Sequence, residues 1–181
     1  MSATAIHSVN SKSVHHALRI ACGEDASFLL ALFVERNASK FASLAWGDTQ
    51  LRPILQMQYR ARIEGYAQQF SGLQDFVICD TQQQPVGELL LNHTPGEIRV
   101  VDLCISSPYR GRGVATQLLS ELQQEATAKA AMITLSVDHG NPARRLYKRL
   151  GFQEIASDAL QVEMHWRATG SKSANKGLID A

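Results

Sequence analysis

No stretch of about 18 apolar residues occurs anywhere in the 181-residue chain. Residues 1–16, rich in Ser, Ala and Asn, carry no apolar run of the signal-peptide kind. These absences predict a protein that neither spans a membrane nor is secreted by that route, and so a cytoplasmic one. Charge of one sign is also missing. Lys and Arg number 18 against 17 Asp and Glu, for a formal net charge of +1, and neither sign is massed in a block. A nucleic-acid or membrane-surface footprint is therefore not expected. Cysteine is scarce: Cys22, Cys79 and Cys104 are odd in number, far apart and set in strand-like segments. That excludes a disulfide framework or zinc ribbon and predicts reduced core thiols. Of the six histidines only His15-His16 are close neighbours, so no metal site is predicted.

What is present is a globular composition, 45% hydrophobic and 19% charged, enough for a packed core. No repeat or linker interrupts residues 17–168, which read as one domain between a flexible segment 1–16 and a flexible tail 169–181. Ala17 to Cys22 suggests a short strand, and Gly23-Glu24-Asp25 the start of an apolar helix reaching about Arg36. Thr49 to Phe70 suits one or two helices, with Pro53 in a first turn. Phe76–Cys79, Val86–Leu91 and Ile98–Ile105 read as an antiparallel meander. A helix after Gly111 carries Ala115, Leu118, Leu119, Leu122 and Ala126 on one face, and Met132–Val137 follows as a buried strand, implying parallel pairing across that helix. A helix over about Pro142–Leu150 stops at Gly151, and Phe152–Ile155 with Leu160–Trp166 forms a last hairpin. The fold class expected is α/β (α+β): a mixed, mostly antiparallel twisted sheet of about seven strands with helices on both faces.

The most informative stretch is Leu103 to Ala115, where a strand ends, a basic glycine-rich turn follows and a helix begins. Glycines let backbone approach an anion, successive N–H groups can point at its oxygens, and the helix dipole adds to their effect. Arg110 and Arg112 supply charge. Three readings stay open on these letters. The turn can be a plain one with solvated arginines. It can bind a dinucleotide, since Gly111-x-Gly113 opens a helix and Asp138 ends the next strand, although Thr116 stands where a third glycine belongs. It can also bind the pyrophosphate of another cofactor. A Walker loop is excluded, because no Gly-Lys-Ser or Gly-Lys-Thr follows.

Arg110-Gly111-Arg112-Gly113-Val114-Ala115 resembles the hallmark of the GNAT superfamily of N-acetyltransferases: Gln or Arg, two residues, Gly, one residue, then Gly or Ala. The family's second signature, an Asn before an Ala-x-x-Leu-Tyr helix ending in Gly-Phe, is similar to Asn141 through Phe152, with Ala143, Leu146, Tyr147 and Gly151 in place. Counted back from Ala143, Gly140 holds the usual Asn position and Asn141 lies one residue late. The resemblance covers about Val86 to Trp166. It implies acetyl-CoA as co-substrate, with N–H groups from Arg110, Gly111, Arg112, Gly113, Val114 and Ala115 on its pyrophosphate. The strand ending at Ile105 would lie along the pantetheine arm, and Asn141 would hold that arm. It further implies that Tyr147 protonates the departing thiolate, and that a homodimer is one assembly to expect.

An amine acceptor, small molecule or peptide, must lose a proton before attack. A lysine-like amine near pKa 10.4 is about three units too basic at neutral pH, roughly 4 kcal/mol. Asp102, three residues before Ile105, is the first candidate for base or amine anchor. Glu97 and Glu88 on neighbouring strands are weaker choices for that role, each reading more simply as an exposed strand-end charge, and Cys104 reads as an inert strand thiol. The resemblance implies that Trp46, Tyr59, Arg62, Glu64 and Tyr66 line the acceptor cleft, although helical spacing alone reads most of these aromatics as core. A non-catalytic acyl-CoA-binding module is the reading from a different class.

Overall fold

The computed structural model describes residues 16–41 and 48–168. The elements run β1 (Ala17–Ile20), a 3₁₀ turn (Gly23–Asp25), α1 (Ala26–Phe41), α2 (Asp48–Gln69), β2 (Leu73–Cys79), β3 (Pro85–Thr94), β4 (Glu97–Ile105), a 3₁₀ turn (Ser107–Tyr109), α3 (Val114–Ala128), β5 (Met132–Asp138), α4 (Ala143–Arg149), β6 (Gln153–Ser157) and β7 (Gln161–Trp166). They build a seven-stranded sheet of order β1-β2-β3-β4-β5-β7-β6 in which only the β4–β5 pair is parallel. Fold class, meander, crossover helix and final hairpin all match the expectation.

Alternation along the strands sorts the two faces. Phe76 and Ile78 of β2, Leu89 and Leu91 of β3, Ile98 and Val100 of β4, and Ile133, Leu135 and Val137 of β5 are buried together against Val114, Leu118, Leu119, Leu122 and Ala126 of α3 and Tyr147 of α4. Each such aliphatic side chain contributes about 1.5–3 kcal/mol on burial, so this face holds the main core. The opposite face carries Val77, Cys79 and Leu29 in a smaller apolar cluster, with Tyr59 of α2 packed on it.

Three local features depart from expectation. α1 continues to Phe41, beyond Arg36. α2 begins at Asp48, so Pro53 lies inside the helix rather than in its first turn, where it removes one i→i−4 hydrogen bond. Cys22 is exposed, following β1 rather than lying in it, whereas Cys79 and Cys104 are buried and all three are free thiols. His16 is buried beside Gln117. His16 belongs to the segment 1–16 expected to be flexible; residues 1–15, the tail 169–181 and Trp46 lie outside the described residues.

α4 ends as its letters predict. Gly151 adopts φ +85°, its N–H bonds Lys148 O at 3.0 Å, and Phe152 N–H reaches Tyr147 O at 3.0 Å, closing a left-handed helix cap.

Candidate active site

The sheet opens where β4 and β5 part. Their pairing covers only Glu97–Val100 against Met132–Leu135. Beyond it β5 continues on β7 alone, and residues 101–105 of β4 keep β3 as their strand neighbour. A bulge helps to turn β4 away: Leu90 opposes Asp102 while Leu91 opposes Val100, leaving Val101 as the extra residue. The backbone groups of β4 up to Ile105 therefore border a gap.

At the mouth of that gap sits the glycine-rich turn. Gly111 and Gly113 adopt φ +73° and +85°, where other residues are strained, and a Cβ on either would meet no atom within 4 Å. Open space above both glycines is what a bulky anion needs. Gly113 caps α3, its carbonyl taking the first helical bond from Gln117 N at 2.9 Å. The N–H groups that follow it have no partner within the helix.

The turn is anchored from two sides. Glu35 of α1 accepts from Ser107 N at 2.9 Å, Ser107 Oγ at 2.6 Å and Arg110 Nη2 at 2.9 Å. Arg110 Nε donates to Ile105 O at 2.7 Å, so this guanidinium braces the turn rather than standing free. Tyr109 donates to Asp80 Oδ2 at 3.1 Å, which pushes its phenol pKa up, and Arg112 stacks over the Tyr109 ring at 5.6 Å.

Asp102 faces α1 and α2. Its carboxylate accepts from Arg36 Nη1 at 2.8 and 2.7 Å, from Arg62, and from Leu103 N at 3.0 Å. Arg62 lies between aromatic rings, 5.2 Å from Tyr66 and 5.8 Å from Phe33, and Phe33 packs on Tyr59 at 5.5 Å. Tyr59, Arg62 and Tyr66 thus share the inner face of α2. Glu64 does not: it is exposed and lines a shallow outer groove with Pro53, Met57 and Arg60, so it is removed from the cleft walls.

Of the acids expected as exposed strand-end charges, Glu97 opens β4 but is not exposed, and Glu88 is neither exposed nor at a strand end. Glu88 is mid-strand and 3% exposed; burial raises its pKa against the opposing pull of Arg62 and Arg36. Glu97 is half-buried and accepts from Thr134 Oγ1, tying β4 to β5. Strand alternation, its phase reset on β4 by the bulge at Val101, explains both, because Glu88, Glu97 and Asp102 all point to the α1–α2 face. Cys104 is buried on that face, and desolvation raises its thiol pKa, in keeping with an inert residue. Three participants had no sequence signal: Glu35 and Arg36, adjacent on α1, and Asp75 of β2. Only register across the sheet brings Asp75 beside Glu88, through Leu90 and Val77.

Tyr147 is 8% exposed and packs on Phe152 at 5.7 Å. Burial raises its phenol pKa, and it makes no side-chain hydrogen bond among the described residues. Asn141 is exposed. Its Oδ1 accepts from Ala143 N at 2.9 Å, capping α4, so the side chain has a structural task at the position one residue late.

The fold is that of known acetyltransferases. The PaiA N-acetyltransferase of Thermoplasma acidophilum, solved with coenzyme A, superposes with a TM-score of 0.63 over 84% of this chain and 99% of that one, at 15% identity. An acetyltransferase from Thermus thermophilus gives 0.60 over 84% and 96%, at 18% identity. In sequence, residues 50–169 match the acetyltransferase (GNAT) domain family. The chain therefore belongs to the GNAT acetyltransferase family. It is also similar to the uncharacterized N-acetyltransferase YycN of Bacillus subtilis, 39% identical over 64 residues, which are 34% of this chain and 41% of that protein. The antiparallel meander and single parallel pair close the dinucleotide-binding alternative, which requires a doubly wound parallel sheet.

Proposed function

We propose that the protein transfers the acetyl group of acetyl-CoA to a primary amine of a small molecule or peptide, by direct attack within a ternary complex. The observation that supports this most is the glycine-capped start of α3, open above Gly111 and Gly113, at the end of the β4–β5 gap. The backbone N–H groups from Gly111 to Ala115 would hold the pyrophosphate, that of Arg110 being donated to Ser107 O at 3.2 Å instead, and β4 up to Ile105 the pantetheine arm. A thioester bound there supplies an activated acyl group. A main-chain N–H near Ile105 would steady the charge growing on its carbonyl oxygen.

Tyr147, kept protonated by burial, donates its proton to the departing sulfur in this reading. Asp102 acts through Arg36 and Arg62, fixing the two guanidiniums that border the acceptor side. Residues 17–168 form one domain, and the protein works in the cytoplasm. The alternative of a binding module without turnover is separated by experiment. CoA release that depends on an added amine, measured across a panel of alkylamines, amino acids and short peptides, supports transfer. Tight acetyl-CoA binding with no amine consumed refutes it.

A further inference from the structure

Beneath α2, on the α1–α2 face of the sheet, lies a carboxyl pair that the scheme above does not use. Glu88 of β3 and Asp75 of β2 point to the same side, with Cys104 directly opposite Glu88 on β4 and Asp102 two residues away. Glu88 Oε2 lies 3.4 Å from Arg62 Nη2, but Oε1 is buried without a partner, as is Asp75 Oδ1. A buried carboxylate oxygen without a donor forgoes about 1–3 kcal/mol. Arg62 does not cure this, because its shortest bond is to Asp102.

We propose that Glu88, not Asp102, is the group that takes the acceptor's proton. This rests on the transferase reading and names the base it requires. Asp102 has its oxygens occupied by Arg36, Arg62 and Leu103 N–H, whereas Glu88 keeps one oxygen free. Neighbouring strands lie about 4.8 Å apart, so Glu88 stands one strand inboard of the β4 edge, within reach of one bridging water. The acceptor ammonium gives its proton to that water, the water gives one of its own to Glu88 Oε1, and the freed nitrogen lone pair forms the bond to the acyl carbon. The C–S bond breaks, the sulfur leaves with a proton from Tyr147, the second proton that nitrogen sheds on becoming an amide restores the Tyr147 phenol through solvent, and Glu88 returns its proton to solvent.

The groups facing Glu88 set its proton affinity. Burial raises it, Arg62 of α2 and Arg36 of α1 lower it, and Asp75 of β2, Tyr59, Asp102 and Cys104 complete the surroundings. Burial and Glu88 together push Asp75 up to about 6. Burial outweighs the arginines at Glu88, leaving a carboxylate more basic than an ordinary one. The sign follows: kcat/KM should rise as pH climbs through the raised Glu88 pKa, where the base becomes ionised.

The test compares wild type with Glu88→Gln across pH, reading CoA release with the panel amine that wild type turns over fastest and with hydroxylamine, which is neutral at assay pH. A general base contributes about 10²–10⁴-fold. Glu88→Gln should lose about 10²-fold with the basic amine and lose the acid limb of the profile. It should stay within about threefold with hydroxylamine, which needs no deprotonation, and CoA affinity by calorimetry should be unchanged. An equal loss with both acceptors, or an unaltered acid limb, overturns the proposal while leaving the transferase reading intact. Wild type that binds acetyl-CoA but releases no CoA with any amine overturns both. Should Glu88→Gln not fold, Arg36→Gln must shift the limb to higher pH by removing an opposite charge that lowers the Glu88 pKa, and an unmoved limb refutes the assignment.

Discussion

Replacing Gly87 with Ala should disturb both the fold and the cofactor side of the site. A Cβ built on Gly87 would stand 2.5 Å from the Cys104 carbonyl oxygen, 3.0 Å from Ile78 Cδ1 and 3.1 Å from Ile105 Cδ1. The two methyl groups can give by a few tenths of an ångström. The carbonyl cannot, because it belongs to the backbone of β4, paired to β3 through Gly87↔Ile105 and Glu88↔Cys104. Overpacking in a core costs about 1–3 kcal/mol, and displacing a strand places this case near the top, about 3 kcal/mol. For a chain of this size each kcal/mol lowers Tm by about 2–4 °C, so Gly87→Ala should melt about 6–12 °C below wild type in a calorimetric scan. The displaced segment is the one proposed to lie along the pantetheine arm, so acetyl-CoA affinity should fall as well. A Tm within about 2 °C of wild type would refute the reasoning, since it would mean that β3 and β4 separate at little cost.

Gly65, inside α2, offers a contrast. Its Cβ would meet nothing within 4 Å, so Gly65→Ala should stabilise by about 0.5–1 kcal/mol in denaturant unfolding through helix propensity and reduced unfolded-state entropy. Asp25 is buried and accepts from Arg19 at 2.6 and 2.7 Å and from Cys22 N at 2.9 Å, the Arg19 bond foremost in holding its carboxyl below the usual range. A depressed carboxylate stabilises above its unfolded pKa, near 4, and loses that contribution as pH falls further. Asp25→Asn should therefore cost about 1–3 kcal/mol at pH 7, and the gap to wild type should narrow in melts at pH 3. Tyr147→Phe keeps the packing on Phe152 but removes the phenolic proton. It should lower kcat for CoA release more than it raises the acetyl-CoA Kd, and equal losses in both would assign Tyr147 to packing alone.

The architecture was legible because the apolar periods are clean. In α3, Leu118, Leu119, Leu122 and Ala126 repeat at helical spacing and are buried. In β3 and β4, turn letters at Pro95-Gly96 mark the hairpin, and Gly96 takes φ +79°. The glycine-rich turn was legible for a similar reason: glycines at positive φ leave a mark that other residues do not imitate. Helix α2 was harder, since Pro53 suggested a start that the chain placed earlier. The acceptor side was read least well. Glu88 looks in sequence like any strand carboxylate, and its burial follows from α1 and α2 lying across that face, which no local pattern reports. Arg36 and Asp102 are 66 residues apart, and Asp75 meets Glu88 only through strand register. At Asn141 the family signature is shifted by one residue, and the structure adds a local task that the letters did not announce, its Oδ1 accepting from Ala143 N.

The most direct measurement is a calorimetric titration of acetyl-CoA, with NAD in parallel, into wild type and into Gly113→Glu shown to be folded by circular dichroism. Gly113 lies at φ +85° with open space above it, so a glutamate there puts a negative side chain where the pyrophosphate would lie. The account predicts micromolar acetyl-CoA binding to wild type, on the order of −8 kcal/mol, no NAD binding, and a large loss of acetyl-CoA affinity in the variant. A folded Gly113→Glu protein that binds acetyl-CoA as wild type does, or a wild type that prefers NAD, would contradict it.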